Sequence, residues 1–124
     1  MPFDATNFSP DPIAPLRVLT VEERQIINIL EQARSGVIAG FWCKRRYHDR
    51  GKHCIVGWLS YVADGGARWS DDRARDFAQK YLGPALLQTY PGDDVISFND
   101  HPDTQQGDII ALFDRAITRL QSAT

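Results

Sequence analysis

TVEERQIINILEQARSGVIAG, residues 20–40, decides the fold class of this 124-residue chain. Thr20 followed three residues later by Glu23 fits a capping box, in which hydroxyl and carboxylate satisfy the backbone N–H groups that a helix start leaves unpaired. Ile26, Leu30, Ala33 and Val37 then recur at helical spacing with Ile27 beside them, and Gly36 and Gly40 mark where the helix ends. The same pattern returns three times. A second helix is predicted from about His53 to Ala63, with Ile55, Trp58, Leu59 and Val62 on one face and Asp64-Gly65-Gly66 closing it. Ser70 with Asp71 and Asp72 starts a third, since acids in a first turn oppose the helix dipole, and Ala74, Phe77, Ala78 and Tyr81 supply its face. Gly83-Pro84 interrupts it before a short helical piece through Leu86 and Leu87 to Tyr90. The last helix begins near Asp103 or Thr104, capped by Asp103 with Gln106. It places Ile110, Phe113, Ile117 and Leu120 on one stripe, flanked by Ile109, Leu112 and Ala116.

These segments predict a mostly α protein, a small four-helix-type bundle with an irregular basic loop or short hairpin after the first helix. Pro91–Asp94 and Asn99-Asp100-His101-Pro102 read as turns, and Asp49-Arg50-Gly51 as another. Strand pairing is confined to residues 41–47 and 95–98. Ahead of Thr20, Pro2, Pro10, Pro12 and Pro15 make residues 1–19 an extended Pro-rich leader, because proline fixes φ and removes a backbone donor. Residues 20–124 form a single helical domain, long enough to fold without a metal or a disulfide. The net charge of −2 excludes a general nucleic-acid binder, which is usually strongly basic. Neither a membrane span nor the basic and apolar regions of a signal peptide is visible, so a cytoplasmic protein is expected, with Cys43 and Cys54 reduced.

Three short motifs stand in order along the chain: Phe41-Trp42-Cys43, Cys54-Ile55-Val56-Gly57, and Phe98-Asn99-Asp100 ahead of Leu112-Phe113-Asp114-Arg115-Ala116. Together they resemble a family of small uncharacterised bacterial and phage proteins marked by a Trp-Cys pair, a Cys-x-x-Gly and an Asn-Asp, over roughly residues 20–120. Trp58 departs from that pattern, standing where a small residue follows the glycine, and the loop at 44–53 is unusually basic. The resemblance implies a fold and carries no activity.

Cys54 is the candidate nucleophile of a small cysteine-dependent hydrolase or transferase, because a helix N-terminus and a cation such as Lys52 lower a thiol pKa. His53, His48 or His101 would serve as base and Asn99 or Asp100 as orienting group. The opposing reading packs Cys54 as a small apolar residue and lets Asn99-Asp100 bond its own backbone in a turn. Cys43, His48, His53 and Cys54 are four potential zinc ligands, but their spacing lacks the paired ligands of structural sites, so neither metal nor other cofactor is expected. A Cys43–Cys54 disulfide would close the basic loop only in an oxidising compartment. Trp42, Trp58 and Trp69 read as core or rim aromatics, Trp69 the most exposed.

Charge is distributed unevenly. Residues 41–58 carry a balance of +4 and residues 91–114 a balance of −6. A basic loop beside an acidic stretch suits local contact with phosphates or with an acidic protein surface. The leading expectation is therefore a non-enzymatic interaction module that binds through loop 41–53, using Lys44, Arg45, Arg46, Tyr47, Arg50 and Lys52. Arginine offers planar bidentate recognition and tyrosine a rigid anchor. The size and charge asymmetry fit a phage-derived inhibitor of a host complex.

Overall fold

Helix α1 (Val21–Ile38) starts at the capping box expected of it. The Thr20 hydroxyl accepts the Glu23 N–H at 3.1 Å, and the Glu23 carboxylate accepts the Thr20 N–H at 2.9 Å. The computed structural model describes residues 18–63 and 69–122. Most of the leader and the Asp64-Gly65-Gly66 stop lie outside the described residues. After α1 come β1 (His48–Asp49), β2 (Lys52–His53), α2 (Ile55–Val62), α3 (Asp71–Tyr81), α4 (Gly83–Leu87), α5 (Val95–Asp100) and α6 (Gln106–Gln121). The protein is mostly helical, with four longer helices, two short ones and one two-stranded hairpin among the described residues.

Helix α2 is the centre of the bundle. Every residue from Ile55 to Ser60 is buried, so its apolar surface runs nearly all round instead of along one face. α1 and α3 pack on it, and α6 closes against α1 and α4. Leu30, Ile55, Leu59, Leu82, Leu86, Leu112 and Phe113 are fully buried in one continuous core. Each such side chain contributes about 1.5–3 kcal/mol by leaving water. No helix among the described residues is long and apolar enough to cross a membrane.

Several expectations are corrected. Of the two glycines at which α1 can stop, Gly40 is the one that ends it, at φ 92° after the C-cap Ala39, while the helix runs through Gly36. Gly36 is there for packing: a Cβ would run into the Trp58 indole, which lies directly on the helix. His53 belongs to β2, and α2 starts two residues later with Cys54 as its N-cap. Residues 95–98 form no strand. They open helix α5, capped by Asp94, whose carboxylate accepts the Ser97 N–H at 2.7 Å, and Asn99-Asp100 ends that helix instead of making a turn. α6 is capped by Asp108, whose carboxylate accepts the Gln105 N–H at 2.9 Å, and not by Asp103 with Gln106. Gln106 instead donates to the Val37 carbonyl at 2.6 Å, tying α6 to the end of α1. The buried stripe of α6 is Ile109, Leu112, Phe113, Ala116 and Ile117, while Ile110 and Leu120 lie at its margin.

Candidate functional site

The loop between α1 and α2 is built from backbone hydrogen bonds before its side chains matter. His53 donates its N–H to the Phe41 carbonyl at 3.0 Å, and Cys43 donates to the His53 carbonyl at 3.2 Å. Beyond them the chain makes a hairpin in which His48 pairs with His53 and Asp49 with Lys52. Its two turn residues, Arg50 and Gly51, both have positive φ, 52° and 83°. That is the geometry that matches strand twist in a two-residue hairpin, and arginine is an unusual residue to hold it.

Asn99 organises the base of this loop. It is buried at the end of α5. Its Oδ1 accepts the Trp42 indole N–H at 2.8 Å and the Ile55 N–H at 3.1 Å. Its Nδ2 donates to the Cys43 carbonyl at 3.2 Å and to Asp100 Oδ1 at 2.9 Å. All four hydrogen-bonding capacities of the amide are used, as a buried amide requires. Asp100 Oδ1 also accepts the Arg45 N–H at 2.7 Å, and Arg45 sits at φ 68°. A carboxylate thus clamps a non-glycine residue in the left-handed region, a conformation that needs such support. Gly57 completes the knot. A Cβ there would overlap the Tyr47 carbonyl oxygen, which accepts the Cys54 N–H at 3.2 Å. Trp42-Cys43, Cys54 to Gly57 and Asn99-Asp100, far apart in sequence, meet at one place.

Beneath the loop lies a cavity of about 270 Å³. Its apolar wall is Tyr47, Cys54, Ile55, Val56, Val95 and Ile96, and Asn99 and Asp100 border it. The exposed Arg45 and Arg46 stand at its mouth. Among the described residues the guanidinium groups of Arg45, Arg46 and Arg50 and the Lys52 ammonium take no hydrogen-bond or ion-pair partner. Lys44 differs from them. Its ammonium donates to the carbonyls of His101 at 2.7 Å and Pro102 at 3.3 Å and lies 5.6 Å from the Trp42 ring centre, so it braces the loop against the end of α5. The basic loop and the acidic stretch are therefore packed together through Lys44 and Asp100.

The thiol of Cys54 does not have the lowered pKa expected at a helix start. Burial pushes it up from 9.0 to about 11, outweighing the N–H groups of Gly57 and Val56 that favour the thiolate. Its Sγ accepts the Gly57 N–H at 3.4 Å as a helix cap. Burial, with Asp49 second, also raises the Cys43 thiol, which donates to the Arg46 carbonyl at 3.5 Å. Both cysteines are free thiols.

No histidine lines the cavity among the described residues. His48 and His53 face each other with their Nδ1 atoms 2.7 Å apart, so that one donates to the other, and His48 Nε2 lies 3.5 Å from Asp71. The His53 ring stacks on Tyr61 and meets the edge of Trp58. His101 is exposed and accepts the Asp103 N–H at 3.1 Å. Cys43, His48, His53 and Cys54 do not converge, and no group of three or more His, Cys, Asp or Glu side chains among the described residues is placed to hold a metal ion. Trp58 is buried, and Trp42 and Trp69 are half-buried; Trp69 is covered by Arg73 at 4.5 Å from its ring centre.

Nothing local in the sequence marks Val95 and Ile96, which wall the cavity from α5. The Asp100 clamp on Arg45 likewise has no local signal, because a carboxylate acts there on a backbone N–H 55 residues away. Fold and site together define a small helical protein whose first interhelical loop is locked by a buried asparagine over an apolar pocket. The chain belongs to DUF6197, a family of unknown function, whose family model matches residues 21–119. No curated protein and no solved structure matches it.

Proposed function

We propose that this protein is a non-enzymatic interaction module that engages an acidic protein surface through loop 41–53. The observation that carries the reading is the pair Arg45 and Arg46. The Arg45 backbone is locked by Asp100 and the Asn99 network, the Arg46 carbonyl accepts the Cys43 thiol, and both guanidinium groups are exposed and without partners among the described residues. With the backbone already placed, binding a carboxylate has only the side-chain rotamers left to order, and the planar guanidinium can meet the carboxylate through two hydrogen bonds. Tyr47 lies half-buried beside them as an apolar anchor, and Arg50 extends the positive surface at the hairpin tip. Lys44 serves the scaffold in this scheme, and Lys52 adds to the field.

The rival reading, a cysteine-dependent hydrolase or transferase, has in its favour that Cys54 lines a cavity. Against it stand the raised thiol pKa and the lack of a histidine in the cavity wall among the described residues. A phage-derived inhibitor of a host complex is the more specific form of the leading reading, resting on size and charge layout. The test is affinity capture from host lysate with the native chain and with an Arg45→Glu/Arg46→Glu variant. A partner with an acidic surface should be retained by the native chain, released by salt, and lost from the variant. An identical set of captured proteins would defeat the proposal.

A further inference from the structure

We infer that the cavity beneath the loop is a pocket for one apolar side chain of an acidic peptide segment, a leucine-sized residue flanked by aspartate or glutamate. The inference rests on the proposed reading of loop 41–53 and adds what the partner must present. At about 270 Å³ the cavity is smaller than the roughly 300–1,000 Å³ that drug-sized ligands and cofactors occupy. Its room admits a single apolar side chain. Half-buried Tyr47 and Ile96 give the cavity its accessible apolar lining, with the buried Cys54, Ile55, Val56 and Val95 behind them, and they offer an entering group only dispersion and release of water.

Charge decides what stays outside. Asp100 borders the cavity, with Oδ1 occupied by the Asn99 amide and the Arg45 N–H, and would repel a carboxylate that entered. Arg45 and Arg46 at the mouth would attract one that remained at the rim. The arrangement therefore selects an apolar side chain inside and acidic neighbours outside. Such a division is typical of binding surfaces, where an anchor fills a pocket within a polar rim.

The probe is a synthetic fluorescent peptide carrying one leucine among aspartates and glutamates, compared with the same peptide bearing serine in its place. Native protein should bind the leucine peptide about tenfold more tightly or better, the return for burying one such side chain. Ile96→Trp, which fills the cavity from α5, should erase that preference and leave the weaker serine-peptide binding intact. Because that variant carries a risk of misfolding, a second measurement uses the native chain. The leucine peptide should shift the side-chain methyl NMR resonances of Ile96, which lines the cavity, while the serine peptide should not.

Equal binding of the two peptides, with affinity still lost in Arg45→Glu/Arg46→Glu, overturns the pocket and spares the acidic-surface reading. Binding of both peptides that ignores the charge reversal, or binding of neither, overturns both.

Discussion

At Cys54 two effects act on one thiol. Removal from water disfavours the thiolate, while the first N–H groups of α2 favour it, and burial wins, leaving the pKa at about 11. In the unfolded chain the thiol returns to its ordinary 9.0. A folded pKa above the unfolded one means that the neutral thiol contributes its full stability below pH 9 and loses it as pH rises towards 11. The loss should reach roughly 2 kcal/mol by the top of that window. Urea unfolding of the parent and of Cys54→Ala across the window isolates the effect from other titrating groups. The stability difference between the two should shrink as pH rises, and a constant difference would show that burial does not control this thiol. Helix position and Lys52 were legible in the sequence. How deeply α2 sits was not, because its buried faces are set by partners distant along the chain.

Among the elements, α2 and the loop ahead of it are fitted to each other through Gly57. A side chain there would displace the Tyr47 carbonyl, which bonds the Cys54 N–H. Gly57→Ala should lower stability by about 1–3 kcal/mol, the usual cost of overpacking. It should also loosen the loop, seen as faster amide exchange at Cys54. Gly107 in α6 is the control, since a Cβ there meets nothing within 4 Å. Gly107→Ala should be neutral or gain up to about 1 kcal/mol. Equal responses at the two sites would refute the close approach. The caps of α1 and α3 were readable because Thr20 with Glu23, and Ser70 with Arg73, act within a single turn. α5 was not. Six residues are too few for periodicity to speak, and burial of Val95, Phe98 and Asn99 supports the helix once Asp94 caps it.

In the molecule as a whole, Asn99 joins three segments that only the fold brings together: the start of the loop, the start of α2 and the end of α5. Asn99→Ala would leave the buried Ile55 N–H without a partner and free the half-buried Trp42 N–H and Cys43 carbonyl. A buried unpaired polar group costs about 1–3 kcal/mol, and the sum should appear as a loss of roughly 2–4 kcal/mol in urea unfolding. Weakened Arg45/Arg46-dependent binding should accompany it. A variant as stable as the parent would show that the network does not hold the loop.

The helical class, the caps at Thr20 and Ser70, the turn at Asp49-Arg50-Gly51 and the separation of charge can be read from the chain alone, because each depends on residues within a few positions of one another. The sequence also displays Trp42-Cys43, Cys54-x-x-Gly57 and Asn99-Asp100 as motifs, without saying that they touch. Folding alone settles that the Cys54 thiol is buried with its pKa raised, that Lys44 braces α5 while the Arg45 and Arg46 guanidinium groups take no partner among the described residues, and that an apolar cavity lies beneath them. Those outcomes depend on desolvation and on hydrogen bonds between residues more than fifty positions apart, such as Trp42 with Asn99 and Arg45 with Asp100, which no local pattern encodes.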